Sequence, residues 1–307
     1  MYDLIIIGGG PAGVSAGVYA ARKRLKTLFI TKDWGGQSTV SLDIQNWIGT
    51  PTIAGPKLAS DLKTHLETYA SDVLTIASGR LATNLSKNED GSSTVTLDDA
   101  STHTGRAVLI ASGSGRRKLE VPGAAEFEHK GLTYCASCDG PLFSGQDVVV
   151  IGGGNAGFES AAQLLAYCKS VTLLHRSADF KADAITIEKV LAHPHMRALT
   201  NVTPTAVHGD KFVSGISYTA TDGASVTLPV TGIFVEVGML PNTDYAKDAV
   251  TIDAYGRVEI DPWTQQTTTP GIWAAGDCTN VKYHQNNIAA GDAVRALEDI
   301  FVHLKTH

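Results

Sequence analysis

The chain has 307 residues, 43% hydrophobic and 18% charged, with 25 Lys and Arg against 31 Asp and Glu for a net charge of -6. That is apolar material for two cores rather than one. No stretch approaches the roughly 20 apolar residues of a membrane span, and the basic residues form no run of the kind a nucleic-acid backbone attracts, so membrane and nucleic-acid roles are set aside.

Tyr2–Ile7 is a nearly continuous apolar run, the pattern of a parallel strand buried on both faces. It leads straight into a glycine-rich turn with no basic leader and no small-residue cleavage site, so a cytoplasmic protein is expected. Gly8, Gly10 and Gly13 supply G-x-G-x-x-G around Pro11 and Ala12. An Ala-rich helix over 14–23 and a strand over 25–30 are predicted next. Glycine lets backbone approach a pyrophosphate, whose charge is met by the N–H groups of the helix start. Asp33 follows Gly13 by about twenty residues, where an acid binds ribose hydroxyls. Further on, 86–101 is polar, with a hairpin signal at Asp90-Gly91.

Tyr134-Cys135-Ala-Ser-Cys138-Asp139-Gly140 comes next. With only four cysteines in the chain, two of them here, the pattern is not that of a secreted disulfide scaffold. In a cytosolic chain, C-x-x-C beside a βαβ pattern reads as a redox pair. A structural zinc site is the rival, but it wants about four ligands, and no second C-x-x-C or H-x-x-x-H stands near. Asp139 before Gly140 fits a turn or cap; beside a dithiol it also suits proton transfer.

A second nucleotide unit opens at Asp147–Ile151, turns through Gly152, Gly154 and Gly157 around Asn155 and Ala156, and continues as a helix over 158–167 and a strand at Ser170–Leu174. Two such units, each in βαβ context, predict two dinucleotides. After the second strand of this unit stand His175, Arg176 and, further on, Lys181, with no acid beside the strand end. Cations there pair with a 2′-phosphate, which favours NADPH over NADH; solvated surface charge is the competing reading. Hydride arrives as two electrons while a disulfide is reduced by thiolate steps, and a flavin joins the two. His193 and His195 flank Pro194, which breaks a helix, so they are expected in a loop.

Taken in order, Gly8-Gly-Gly-Pro-Ala-Gly13, Gly35-Gly36-Gln37, Asn46, Cys135-Ala-Ser-Cys-Asp-Gly140, Gly152-Gly-Gly-Asn-Ala-Gly157, Gly276-Asp277-Cys278 and Gln285 resemble the low-molecular-weight thioredoxin reductase family, including the C-terminal part of the flavoprotein component of alkyl hydroperoxide reductase. The resemblance covers essentially the whole chain. It implies an α/β fold of two Rossmann-like domains, three-layered, with an NADPH domain (116–243) carrying the C-x-x-C inserted into a split FAD domain (1–115 and 244–307). The FAD domain would return through Gly271-Ile-Trp-Ala-Ala275. The flavin contacts implied are Gly36, Gln37, Asn46, Asp277, Gln285 and Asn286, with Asp277 at the ribityl chain and Gln285 by the ring. Cys138 matches the cysteine facing the flavin, Cys135 the interchange thiol, Asp139 the proton donor, and Cys278 a position without redox role. Also implied are a homodimer, a thioredoxin or a thioredoxin- or glutaredoxin-like partner, and a rotation of the inserted domain about hinges near 116–122 and 238–243.

The departures are specific. The family's His-Arg-Arg-x-x-x-Arg stands here as His175-Arg176-Ser177-Ala-Asp-Phe-Lys181, losing bidentate forks, so NADH stays open as a donor. The peroxide-reductase relative has a Glu at the position of His175, which this chain lacks, so NADH is not favoured either. His284 replaces the basic residue usual before Gln285, and a titratable group there would alter the flavin's pH response. Lys130 stands where the family often has a cation near the docking face; plain surface lysine is the competing reading. Because the chain starts at its first nucleotide turn, a thioredoxin-like relay is expected to be a separate protein. Two alternatives remain: a related flavoprotein taking electrons from ferredoxin or another donor, and a flavin oxidase or redox sensor with no thioredoxin partner. Aromatic packing is the expected use of most of Trp34, Trp47, Trp263 and Trp273.

Overall fold

The computed structural model describes residues 1–41 and 43–306. The chain forms two compact units, Met1–Gly115 with Leu240–His307, and Arg116–Met239.

The first unit opens with β1 (Tyr2–Ile7), α1 (Pro11–Arg22) and β2 (Thr27–Thr31), then α2 (Gly55–Ala70), β3 (Leu74–Ser78), β4 (Ala82–Lys87), β5 (Ser93–Leu97), β6 (Thr102–Ile110) and the short β7 (Ser114–Arg116), which runs to the crossing. The second unit holds β8 (Leu132–Thr133), α3 (Ala136–Asp139), β9 (Asp147–Ile151), α4 (Asn155–Leu164), β10 (Ser170–Leu174), α5 (Ala184–Leu191), β11 (Met196–Leu199), β12 (Thr203–Gly209), β13 (Val213–Thr219), β14 (Ser225–Leu228) and β15 (Gly232–Val235). After β16 (Met239–Pro241) the chain completes the first unit with β17 (Ile272–Ala274) and α6 (Asn286–Thr306).

In the first unit the sheet runs β3-β2-β1-β6-β5-β4, with β17 also on β6. β1, β2, β3, β6 and β17 are parallel, while β4, β5 and the start of β6 form an antiparallel meander. The period of two explains why β1 reads as unbroken apolar sequence. Leu4 and Ile6 enter the core under α1, α2 and α6, whereas Ile5 and Ile7 enter the opposite core with Leu85, Val95, Val108 and Val258. All four side chains are buried, and each contributes roughly 1.5–3 kcal/mol of transfer free energy. The β4–β5 hairpin turns at Gly91, whose φ of 84° suits glycine.

The second unit repeats the plan with a parallel sheet, β11-β10-β9-β15-β8. One face packs Val148, Val150, Leu173 and Phe234 against Phe158 and Leu164 of α4. The other packs Val149, Ile151 and Ile233 against Val207, Ile216 and Tyr218 of the antiparallel sheet β12-β13-β14. Both units are thus three-layered and Rossmann-like.

Several boundaries differ from the sequence reading. Both helices after the glycine turns begin three residues early, at Pro11 and Asn155, because the glycine turn overlaps the helix start; at Pro11, proline at the first helical position lacks only an N–H that would be unpaired there. The chain re-enters the first unit at 240 rather than 244. Asn242 N–H donates to Gly113 O at 3.0 Å and Thr243 Oγ1 to Gly256 O at 2.6 Å, tying those residues to the first unit.

Candidate functional site

Chemistry concentrates at three places. In the second unit, β8 pairs in parallel with β15 and delivers the chain into Cys135, the N-cap of the single-turn α3. Cys135 and Cys138 form a disulfide with Cα atoms 5.3 Å apart. Cys135 is half-buried and Cys138 exposed. The Cys138 N–H donates to Cys135 Sγ at 3.2 Å, a donor that favours a thiolate at Cys135 once the disulfide opens. Ser137 Oγ bonds Gln163 Oε1 at 2.6 Å and fixes α3 on α4. Thr133 Oγ1 donates to the Asp139 carboxylate. Burial nevertheless pushes the Asp139 carboxyl above its ordinary value, against the lowering by Thr133 and His129. In sequence this carboxyl directly follows Cys138. The remaining cysteines differ: Cys168 and Cys278 are buried, and burial pushes both thiols up to about 11, so they stay unreactive thiols.

In the first unit the glycine turn is required by sterics. Gly8 has φ 127°, and a Cβ there would strike Ala111 O; one at Gly13 would strike Gly8 O. Gly10 is different. Its ideal Cβ meets only Gly36 Cα at 3.9 Å, so its place in the turn is open. Gly10 precedes α1 as its N-cap, with no side-chain cap and no acid in the first turn, leaving N–H groups around Ala12 and Gly13 for an anion. Gly35 N–H donates to Gly9 O at 2.8 Å and Thr31 Oγ1 to Asp33 O at 2.6 Å, which hold Asp33 and Gly36, both exposed, beside this turn.

Distant segments meet next to it. Asn46 Nδ2 donates to Gln285 Oε1 at 3.2 Å, Ser38 Oγ to Asn286 Oδ1 at 3.0 Å, and Asn287 Nδ2 to Asn46 O at 2.7 Å. Asp277 follows β17 and lies 3.4 Å from His284 Nδ1. Gln37 is exposed on the same 36–46 segment. Ser38 and Asn287 were not singled out from sequence, since a lone Ser or Asn in a loop carries no spacing signal.

The second glycine turn, in the second unit, copies the first. Gly152 also has φ 127°, and its Cβ would strike Glu236 O; a Cβ at Gly157 would strike Gly152 O; nothing lies within 4 Å of one at Gly154. Asn155 Oδ1 accepts from Asp183 N–H at 2.8 Å and Lys181 N–H donates to Gly153 O at 2.7 Å, seating the 176–183 loop on the turn beside Ala156. His175 is buried, 7% exposed, with Nε2 at 2.9 Å from Asp179 O and its ring 5.5 Å from that of Phe180. It lies under Gly153 and supports the loop from inside. Arg176 and Lys181 are exposed, and neither is in an ion pair among the described residues. Glu236, unremarked in the sequence, accepts from Ser160 Oγ at 2.7 Å and pairs with Arg116 at 3.6 Å.

Among the described residues no group of three or more His, Cys, Asp or Glu could hold a metal ion. His193 and His195 lie beyond the end of α5, with His195 N–H donating to His193 Nδ1 at 3.2 Å. Of the tryptophans, Trp273 is fully buried and Trp34 stacks on Phe29, whereas Trp263 is 85% exposed.

Residues 2–293 match the pyridine nucleotide-disulphide oxidoreductase family. The chain is 39% identical over 301 residues to the F subunit of alkyl hydroperoxide reductase of Staphylococcus epidermidis, covering 98% of this chain and 58% of that protein. It is 36% identical over 304 residues to a protein named NADH dehydrogenase of Ferdinandcohnia aciditolerans, covering 99% and 57%. The chain thus spans a little over half the length of the curated relatives it matches. Thioredoxin reductase from Streptococcus pyogenes has a solved structure that superposes with a TM-score of 0.91 at 31% identity, covering 100% of this chain and 99% of that one.

Proposed function

Since the chain belongs to the pyridine nucleotide-disulphide oxidoreductase family, we propose that it is an enzyme carrying electrons from NADPH through FAD to the Cys135–Cys138 disulfide, and from there to thioredoxin or a thioredoxin- or glutaredoxin-like protein. The disulfide itself carries this reading: it is bonded, exposed at Cys138, and followed in the chain by the partly buried Asp139, in a unit with its own glycine turn.

The residues of the first unit fit FAD. Gly8, Gly10, Pro11, Ala12 and Gly13 form an uncapped helix start with open space at Gly10, suited to a diphosphate, and Asp33 suits a ribose. Gly36, Gln37, Asn46, Asp277, Gln285 and Asn286 would hold the ribityl chain and ring. In the second unit Gly152, Gly154, Asn155, Ala156 and Gly157 would hold the NADPH diphosphate, with Arg176 and Lys181 at the 2′-phosphate and His175 supporting their loop.

Held by these residues, a flavin would supply the means of turning two-electron hydride delivery into reduction of a disulfide. The protein's residues do the rest. Reduced Cys135, as thiolate, attacks the partner's disulfide; that S–S bond breaks, a mixed disulfide forms and one partner thiolate leaves. Cys138 then attacks Cys135 Sγ, restoring the internal disulfide and freeing the second partner thiolate. Asp139 gives a proton to a leaving thiolate, a role its buried, raised carboxyl suits.

NADH is the second reading, favoured by Arg176 standing as the only guanidinium in the 175–181 loop and by the name of the Ferdinandcohnia relative. The resemblance supports a homodimer; among the described residues no helix is long and apolar enough to cross a membrane. Anaerobic titration of the FAD-loaded protein with NADPH, and separately NADH, tests the proposal. Near-stoichiometric bleaching by NADPH, reversed by oxidised thioredoxin, is the expected result. Bleaching by dithionite alone would place the electron donor elsewhere.

A further inference from the structure

Two of the four buried side-chain polar atoms that lack a hydrogen-bond partner among the described residues fall in one stretch of the first unit: His284 Nδ1 and Asp292 Oδ2. His284, on the turn leading into α6, is 15% exposed, and Asp277 Oδ1 lies 3.4 Å from its Nδ1, near enough for charge attraction but without hydrogen-bond alignment. Asp292 is 8% exposed on α6, and Arg295 Nη1 holds its other oxygen at 3.3 Å. Burial pushes the Asp292 carboxyl up, opposed by Arg295 and then by His284.

The charged groups facing the imidazole are therefore Asp277 from the turn after β17, with Asp292 and, beyond it, Arg295 from α6. Lys282 on its own turn lies over the Tyr283 ring, 5.4 Å from its centre. A buried carboxylate oxygen and a buried ring nitrogen without partners are unfavourable unless a charge or a ligand compensates them. Protonated His284 compensates both carboxylates; neutral His284 leaves two acids with Arg295 alone. Histidine is also the side chain whose ordinary titration spans neutral pH. The cluster adjoins Gln285 and includes Asp277, both assigned above to the flavin, and the inference rests on that reading.

We propose that His284 is the proton-accepting group of the flavin site, taking one proton from solvent when the loaded protein gains two electrons. The balance is two electrons from the nicotinamide donor and one solvent proton on the imidazole, beyond any proton on the cofactor. The added negative charge is then matched by a cation held between Asp277 and Asp292. His284 acts here as a positioning residue for charge and breaks no bond.

The test is the midpoint potential of the FAD-loaded protein between pH 5 and 9, with His284→Lys as a fixed cation and His284→Asn as a neutral isostere. Wild type should show an interval in which the potential falls by about 30 mV more per pH unit than outside it, the tenfold change in proton activity converted for a two-electron couple. Both variants should lose that interval while keeping bound flavin. Asp292→Asn should move the interval to lower pH, because a neighbouring carboxylate stabilises the imidazolium. A steep interval that survives in His284→Lys, or a wild type without one, overturns the inference and leaves the flavin assignment standing. A chain that binds no flavin overturns both.

Discussion

At the scale of single residues, the proposed chemistry rests on the cysteine pair and Asp139. Asp139 is held above its ordinary value by burial, so its contribution to stability is present below the unfolded-state carboxyl range and is lost as pH rises through the folded-state value. Asp139→Asn removes that loss. The variant should therefore melt no lower than wild type at pH 8, measured by differential scanning fluorimetry, while its rate of exchange with a small disulfide falls by roughly 10². A normal rate would remove Asp139 from the proton-transfer role. Arg176 gives a second case. Exposed and outside any ion pair among the described residues, it contributes little to the fold, so Arg176→Ala should leave the melting temperature unchanged. If it meets a 2′-phosphate, KM for NADPH should rise about tenfold or more with KM for NADH unmoved, the loss expected of a charge-assisted hydrogen bond. Equal KM changes for both nucleotides would count against it.

At the scale of elements, the two strand-turn-helix units show which glycines the packing requires and which it leaves open. A Cβ at Gly157 would collide with Gly152 O and force α4 away from β9, so Gly157→Ala should lose roughly 1–3 kcal/mol of stability as an overpacked contact. Gly154 has extended backbone and open space around its Cβ position. Gly154→Ala should melt like wild type yet bind NADPH more weakly, read by isothermal titration, because the methyl occupies space a diphosphate needs. Spacing along the chain makes the two glycines look alike. Only the packing separates them, since one Cβ vector points at backbone and the other at solvent.

At the scale of the whole molecule, two three-layered units are built from one interrupted and one continuous stretch of chain. The resemblance predicts a homodimer, so light scattering on the eluted protein should find about twice 32.3 kDa; a mass of one chain would overturn that expectation.

The strands were legible because a parallel strand buried on both faces reads as unbroken apolar sequence, and β1, β9 and β10 fall where that pattern puts them. Both glycine turns and the cysteine pair were legible because their geometry depends on neighbours a few residues away: glycine at φ 127°, a helix start, two cysteines across one turn. Three things were decided only by the tertiary structure. His175 follows a strand as the phosphate-binding pattern requires, but packing against Phe180 and under Gly153 turns its ring inward. Asn46 meets Gln285 across 239 residues, a contact no local pattern encodes. Asp277, His284 and Asp292 are three ordinary polar residues along the chain; the fold brings Asp277 to 3.4 Å from His284 and leaves Asp292, on α6, buried within reach of the imidazole's charge.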